Sequence, residues 1–252
     1  SYKVAKNLLY PVQEIYNYYN LEISTLFLIP NIRANKRIGP HNHDIISVIF
    51  GSLLGDAYAN TRTGEGVRIC YRQSNIHKEY LFYLYEFFFI NSYVSNLKPR
   101  QYIIKLNSNK IYYGYEFNTF TFRSFNWIHK IFYKNGKKIL PHIDQLSIYL
   151  TPLALAIWIM DDGGFVRHGI RLSTYNFTKE EHNTLVLFFK LKYNIDCTIQ
   201  LIPKTDSDKI PKTDSDRVDN RYCLYIKSNS LNKIRNLILP YLVPSMKYKV
   251  GI

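Results

Sequence analysis

Two aspartates, Asp56 and Asp162, each close a short apolar run: Ile45-Ile46-Ser47-Val48-Ile49-Phe50-Gly51-Ser52-Leu53-Leu54-Gly55-Asp56 and Thr151-Pro152-Leu153-Ala154-Leu155-Ala156-Ile157-Trp158-Ile159-Met160-Asp161-Asp162. Runs that are apolar nearly all round predict buried helices. Small residues, Gly51 and Gly55 in the first and Ala154 and Ala156 in the second, would let the two helices pack closely side by side. Asp56 and Asp162 would then emerge together at the shared end. A helix C-terminus already carries partial negative charge, so two carboxylates there repel each other unless a cation compensates. Hard, oxygen-liganded Mg²⁺ suits that role, with backbone carbonyls and phosphate oxygens completing its shell. Such a site can activate water and stabilise the leaving oxygen of a phosphodiester. One helix-terminal aspartate is ordinarily a cap or a surface acid; a matched pair is a stronger signal.

The elements that must position these acids occur twice along the chain. Asp44 is a candidate cap for the first helix, and Thr151 followed by Pro152 is an N-cap with proline at the first helical position. After each helix comes a basic, aromatic, alternating stretch that reads as strand, residues 67–73 and 169–175. Asn75-x-x-Lys78-Glu79 then opens a helix in one half, and Asn176-x-x-Lys179-Glu180 opens one in the other, where Thr178 and Glu181 form a capping box. Further strand pairs follow, 100–106 with 111–123 and 195–202 with 221–227, and each half closes on a helix, 124–133 and 228–239. The order helix, two strands, helix, two strands, helix therefore appears twice. Residues 1–43 read as an N-terminal extension, 44–140 as the first half with a linker to about 150, and 151–252 as the second half. A smaller repeat, Lys204 to Asp208 and Lys212 to Asp216, is polar, interrupted by Pro211, and reads as a long loop between strands.

Composition narrows the partner. The chain of 252 residues carries 33 Lys and Arg against 19 acids, a formal charge of +14. That field concentrates polyanions, so nucleic acid is the first partner to consider. No apolar run approaches the length of a spanning helix, which argues against a membrane role. The 46% hydrophobic content excludes a disordered chain. Three cysteines, Cys70, Cys197 and Cys223, form no C-x-x-C pair and fit a reducing compartment rather than a disulfide scaffold or zinc site. Residue 1 is Ser and no secretory signal precedes the repeat, so the expectation is a chain that starts after processing or inside a larger reading frame. Abundant Tyr, Phe, Asn, Ile and Lys, residues with AT-rich codons, point to an organelle-type genome.

Gly51-Ser-Leu-Leu-Gly55-Asp56 and Leu155-Ala-Ile-Trp-Ile-Met-Asp-Asp162-Gly163 resemble the two signature motifs of the double-motif LAGLIDADG homing endonucleases. Arg37-Ile-Gly-Pro-His-Asn-His-Asp44 and Tyr149-Leu-Thr-Pro152 are similar to flanking text in the organellar, intron-encoded branch, and the likeness runs from about Arg37 to the C-terminus. Phe50 and Ile157 depart from it where small residues are usual.

The resemblance implies an α+β protein of two pseudo-symmetric α-β-β-α-β-β-α halves, with antiparallel sheets forming a saddle over DNA and the motif helices at the interface. It implies a monomer that cuts both strands of a long target across the minor groove, leaving short 3′ overhangs. Asp56 and Asp162 would be catalytic and metal-binding, joined by the carbonyls of Gly55 and Asp161, with Mg²⁺ as cofactor and Mn²⁺ able to substitute. Lys138 and Lys249 match the family's basic catalytic positions, with Lys137 and Lys247 leaving the register open by one or two residues. Strand faces supply candidate DNA contacts: Arg62, Arg68, Arg72, Arg100, Lys105 and Arg123 in the first half, and Arg167, Arg171, Gln200 and Lys227 in the second. Mitochondrial localisation follows from the same resemblance and the composition.

Other readings compete. An intron RNA maturase would use the same basic surface, as would a retired RNA-binding protein or a DNA-binding regulator; intact aspartates favour cleavage over all three. His41-Asn42-His43 spells the name of another nuclease class but lacks its context. His129, His142, His168 and His182 lack ligand-like spacing, and Trp127 and Trp158 read as core aromatics.

Overall fold

The first apolar run, His43–Leu54, folds as helix α1, and a computed structural model describes residues 33, 36–62, 66–105, 111–202 and 221–252 of the chain. After α1 come β1 (Tyr58–Arg62), β2 (Gly66–Ser74), α2 (Lys78–Ile90), β3 (Arg100–Lys105), β4 (Ile111–Asn118) and α3 (Asn126–Phe132). A small hairpin, β5 (Tyr133–Lys134) and β6 (Lys137–Lys138), and a short helix α4 (Ile143–Tyr149) lead to α5 (Pro152–Asp162). The order then recurs: β7 (Gly163–Val166), β8 (Gly169–Leu172), α6 (Lys179–Tyr193), β9 (Cys197–Ile202), β10 (Arg221–Ile226) and α7 (Leu231–Ile238), with a closing 3₁₀ helix at Pro244–Val250. The two four-stranded sheets share one topology, β1-β2-β4-β3 and β7-β8-β10-β9, and every pairing is antiparallel.

Helices α1 and α5 cross at the centre because α1 carries glycine where α5 presents backbone. A Cβ on Gly51 would stand 2.2 Å from the carbonyl oxygen of Ala154, a separation no side chain tolerates. Phe50 turns from that contact and meets Phe132 edge-on at 4.8 Å and Tyr149 at 5.4 Å, so a large residue here costs the helix crossing nothing. Nearly every residue of both helices is buried, and they lie in one hydrophobic cluster that draws on both sheets. Among the described residues no single helix is long and apolar enough to cross a membrane.

Helix ends follow their chemistry, with one correction. The cap of α1 is Asn42, whose side chain accepts from the Asp44 N–H at 2.9 Å; Asp44 sits inside the first turn, where its charge complements the helix dipole. Thr151 caps α5, and the Thr178–Glu181 capping box at α6 is present in both directions. The strand expected over 111–123 ends at Asn118, beyond which Phe120 bonds to Tyr93 and Phe122 bridges to Val67. The helices expected from Ser124 and Ser228 each begin with a 3₁₀ turn. The extension before residue 33 and the loop carrying Lys204–Asp208 and Lys212–Asp216 lie outside the described residues.

Candidate active site and nucleic-acid interface

Because α1 and α5 cross where Gly51 permits, their C-terminal ends meet. A Cβ on Gly55 would lie 2.5 Å from both Cβ and Oδ2 of Asp161, so the glycine vacates the space that the Asp161 side chain fills. Asp161 is buried, and its Oδ2 accepts the Asp56 backbone N–H at a long 3.4 Å. Asp56 is exposed and Asp162 half-buried. Both carboxylates border a cleft also lined by Leu54, Gly55, Lys138, Ser173, Thr174, Asn176 and Phe177.

The two lysines arrive by different elements and perform matching contacts. Lys138 stands on β6, delivered by the two-residue turn Asn135-Gly136, whose positive φ values of 51° and 74° suit the twist of a tight hairpin. Its ammonium donates to the carbonyls of Gly55 and Ala57, both at 3.0 Å. Lys249 comes from the closing 3₁₀ helix and donates to the carbonyl of Asp161 at 3.1 Å. Gly55 precedes Asp56 and Asp161 precedes Asp162, so each ammonium caps the equivalent carbonyl of its helix end. Lys137 and Lys247 are exposed and make no such contact among the described interactions.

Charge is crowded here. Burial and then the neighbouring Asp56 push the Asp162 carboxyl up to about 7, against the opposing pull of Lys138 and Lys249. Burial, then Asp56 and Asp162, hold Asp161 well above the ordinary carboxylate range. Lys138 is shifted down by burial although three carboxylates favour its charge. Carboxylates forced toward their neutral forms by burial and then by mutual repulsion suit a divalent ion. Among the described residues no cluster of three or more His, Cys, Asp or Glu side chains has metal-holding geometry. The candidate donors are the carboxylates of Asp56 and Asp162 with the carbonyls of Gly55 and Asp161. Few side-chain ligands with room for substrate oxygens is the pattern that fits Mg²⁺.

Sheet register sorts the candidate nucleic-acid contacts. Val67, Ile69, Tyr71 and Gln73 alternate inward on β2, leaving Arg68 and Arg72 on the outer face. Antiparallel partners share a face, which adds Arg62 on β1, paired with Gly66, and Arg100 on β3, joined to Arg72 through Glu116 on β4. In the second half Leu172 and Leu224 point inward, so Arg171 and Gln200 point outward; Arg221, which sequence reasoning missed, shares their face. Lys105 is not on this surface. It shares with Gln101 and Ile103 the face of Phe117, at an exposed position. Arg123 lies outside the sheets at the head of a 3₁₀ turn, Arg167 in the β7–β8 turn with φ 58°, and Lys227 just past β10.

A sequence profile of the LAGLIDADG DNA endonuclease family matches residues 46–234. The chain belongs to that family. It is 39% identical over 222 residues to the cytochrome b mRNA maturase bI2 of Debaryomyces hansenii, covering 87% of this chain and 77% of that protein. It is 41% identical over 172 residues to the intron-encoded endonuclease ai4 of Dictyostelium discoideum, covering 67% of this chain and 99% of the relative. The homing endonuclease I-WcaI, solved bound to its DNA recognition sequence, superposes with a TM-score of 0.72 at 25% identity, over 91% of this chain and 97% of that one.

Within this LAGLIDADG chain the two halves differ beside the acids. Gln73, missed from the sequence, donates its amide to Asp56 Oδ2 at 2.8 Å and to Asp161 Oδ1 at 3.2 Å. His77 lies 3.3 Å from its carbonyl oxygen and 3.0 Å from the Tyr248 hydroxyl. The equivalent residue of the second LAGLIDADG half is Thr174, whose hydroxyl is held by His182 at 2.7 Å and by the Leu224 N–H at 3.1 Å. A polar residue on the inward parity of a strand, at the end nearest the acids, was the available signal for Gln73. The His41-Asn42-His43 tripeptide is structural: Asn42 caps α1, and both ring nitrogens of His41 are taken at 2.6 Å, by Tyr93 and Ser124.

Proposed function

We propose that this chain is a monomeric, site-specific homing endonuclease that makes a divalent-metal-dependent double-strand cut in a long DNA target, leaving short 3′ overhangs. The observation that carries the reading is the pair of crossed helix ends, each offering one carboxylate, Asp56 or Asp162, with a lysine ammonium on the preceding carbonyl. Asp56 and Asp162, with the carbonyls of Gly55 and Asp161, would hold Mg²⁺, or Mn²⁺ in its place. When bound, the ion supplies charge for the developing negative oxygens and lowers the pKa of water.

The chain's own residues do the rest. Asp162 must lose the proton that burial favours before it can serve as a ligand, and Lys138 and Lys249 pull it that way. The same ammoniums fix the two helix-end carbonyls and stand where phosphate charge would build up. Gln73 fixes the orientation of Asp56. Two halves within one chain provide both carboxylates, which supports cutting by a single copy. The outer sheet faces, with Arg62, Arg68, Arg72, Arg100, Arg171 and Gln200, would hold the duplex.

A second reading is favoured by the 39% identical cytochrome b mRNA maturase: the basic surface also binds structured intron RNA and assists splicing. That relative and the AT-rich residue usage together support an organellar, mitochondrial gene. The experiment is cleavage of a candidate insertion-site DNA library by purified protein with Mg²⁺ and with EDTA. Cuts that need Mg²⁺ and leave 3′ overhangs are expected. Folded protein that cuts nothing yet binds intron RNA tightly would replace the first reading with the second.

A further inference from the structure

The outer face of the first sheet holds a carboxylate where a polyanion is to bind. Glu116, on β4, lies between Arg72 on β2 and Arg100 on β3, its cross-strand neighbours on either side. Only 18% of its side chain is exposed. Its Oε2 sits 3.3 Å from Nε of Arg72, and its Oε1 accepts from Nε of Arg100 and pairs with that guanidinium's Nη2. Arg72 is further held by an aromatic ring: its guanidinium carbon lies 3.8 Å from the centroid of Tyr102. Tyr102 reaches that place because its cross-strand neighbour is Gly114, where a Cβ would stand 2.3 Å from the tyrosine hydroxyl. A mid-strand glycine weakens a sheet, so its presence here follows from this packing.

We propose that Glu116 is a specificity-determining residue: it locks Arg72 at Nε against the Tyr102 ring, so that the two terminal amines read a guanine in the major groove. The proposal rests on the DNA-cleavage reading above. An arginine that serves only phosphates needs no carboxylate beside it, and a bare carboxylate would repel the backbone. A bidentate arginine–guanine pair needs a guanidinium held in one plane, and Glu116 and Tyr102 supply two independent constraints on it. Gln73, the residue after Arg72, bonds to Asp56, so the guanine lies near the cleavage point on the first-half side. In the second half the positions matching Arg72, Glu116 and Arg100 are Ser173, Cys223 and Gln200. The two half-targets are therefore read by different chemistry at this depth.

The test is a specificity profile: the wild type, Arg72→Lys and Glu116→Gln each cleave the selected target with every base pair varied in turn, and thermal melting is followed alongside. The wild type should demand G at one position by roughly 5- to 150-fold. Arg72→Lys should lose most of that preference at that position alone; Glu116→Gln, which also releases Arg100, should lose it there and change at most the position Arg100 reaches; both should keep the remaining preferences and melt as the wild type does. Uniform weakening at all positions, with a shallower salt dependence, would show a phosphate contact and overturn the proposal. So would an unchanged profile in Glu116→Gln. A wild type that cuts no duplex would remove the DNA reading itself, an outcome distinct from either.

Discussion

Asp56 and Asp162 stand at the paired ends of α1 and α5 and border one cleft. Asp162→Asn or Asp56→Asn should abolish cleavage while target affinity stays within a few-fold, because each change would remove a proposed cation ligand and leave the sheets alone. Gel-shift and cleavage assays on the same preparations check this; double-strand cutting retained by both variants would contradict it. The pH dependence follows from the raised carboxyl. In the unfolded chain Asp162 ionises near its ordinary value of 3.8, while the fold holds its proton up to about 7. Its contribution to metal-free stability is thus full below about pH 4 and is lost as pH rises through about 7. Melting temperature followed from pH 4 to 8 in EDTA should show a decline that Asp162→Asn flattens, and the Mg²⁺ needed for cleavage should rise as pH falls below about 7. Lys138→Met or Lys249→Met should slow cutting by about 100-fold, the scale of losing one preorganised charge contact.

At the scale of elements, the helix crossing is the part that tolerates least. Gly51→Val would place a branched side chain against the Ala154 carbonyl, and Gly55→Ala would drive a methyl into Asp161. Each should cost at least ~1–3 kcal/mol, read as a lowered denaturation midpoint, with Gly55→Ala also displacing the acids and reducing cleavage. Much of this level was legible in the sequence. The matched apolar runs, the Thr151-Pro152 start and the Thr178–Glu181 box stated both motif helices and α6, because caps and buried periodicity are local signals. What escaped was set by tertiary contact or by brevity. The strands β1 and β7 are only five and four residues long, and neither was resolved by alternation alone. The β5–β6 hairpin that delivers Lys138 was announced only by Asn135-Gly136, and Lys249 arrives on a 3₁₀ turn with no sequence period of its own. Lys105 could not be assigned a face until the β3–β4 register was known, and Gln73 read as one more strand residue until Asp56 and Asp161 closed around it.

For the whole molecule, the excess of positive charge and the twice-repeated architecture make one coherent object: a duplicated scaffold that brings one acid from each half to a shared end and spreads arginine over two sheets. Its binding to duplex should weaken steeply with salt, since each phosphate neutralised releases counterions; a slope of log K against log salt near zero would speak against a phosphate-tracking surface. The asymmetry between halves, Gln73 against Thr174 and the Arg72–Glu116–Arg100 cluster against Ser173, Cys223 and Gln200, predicts a target without palindromic symmetry. Footprinting on the selected site checks that directly. Whether the paired helix ends form a metal-dependent DNA-cutting centre is decided by incubating the purified chain with an insertion-site DNA library in Mg²⁺ and in EDTA, and sequencing the ends. Cuts on both strands at one long site, with short 3′ overhangs, are expected in Mg²⁺ alone. Cutting that persists in EDTA, or folded protein that leaves every duplex intact in Mg²⁺, would contradict this.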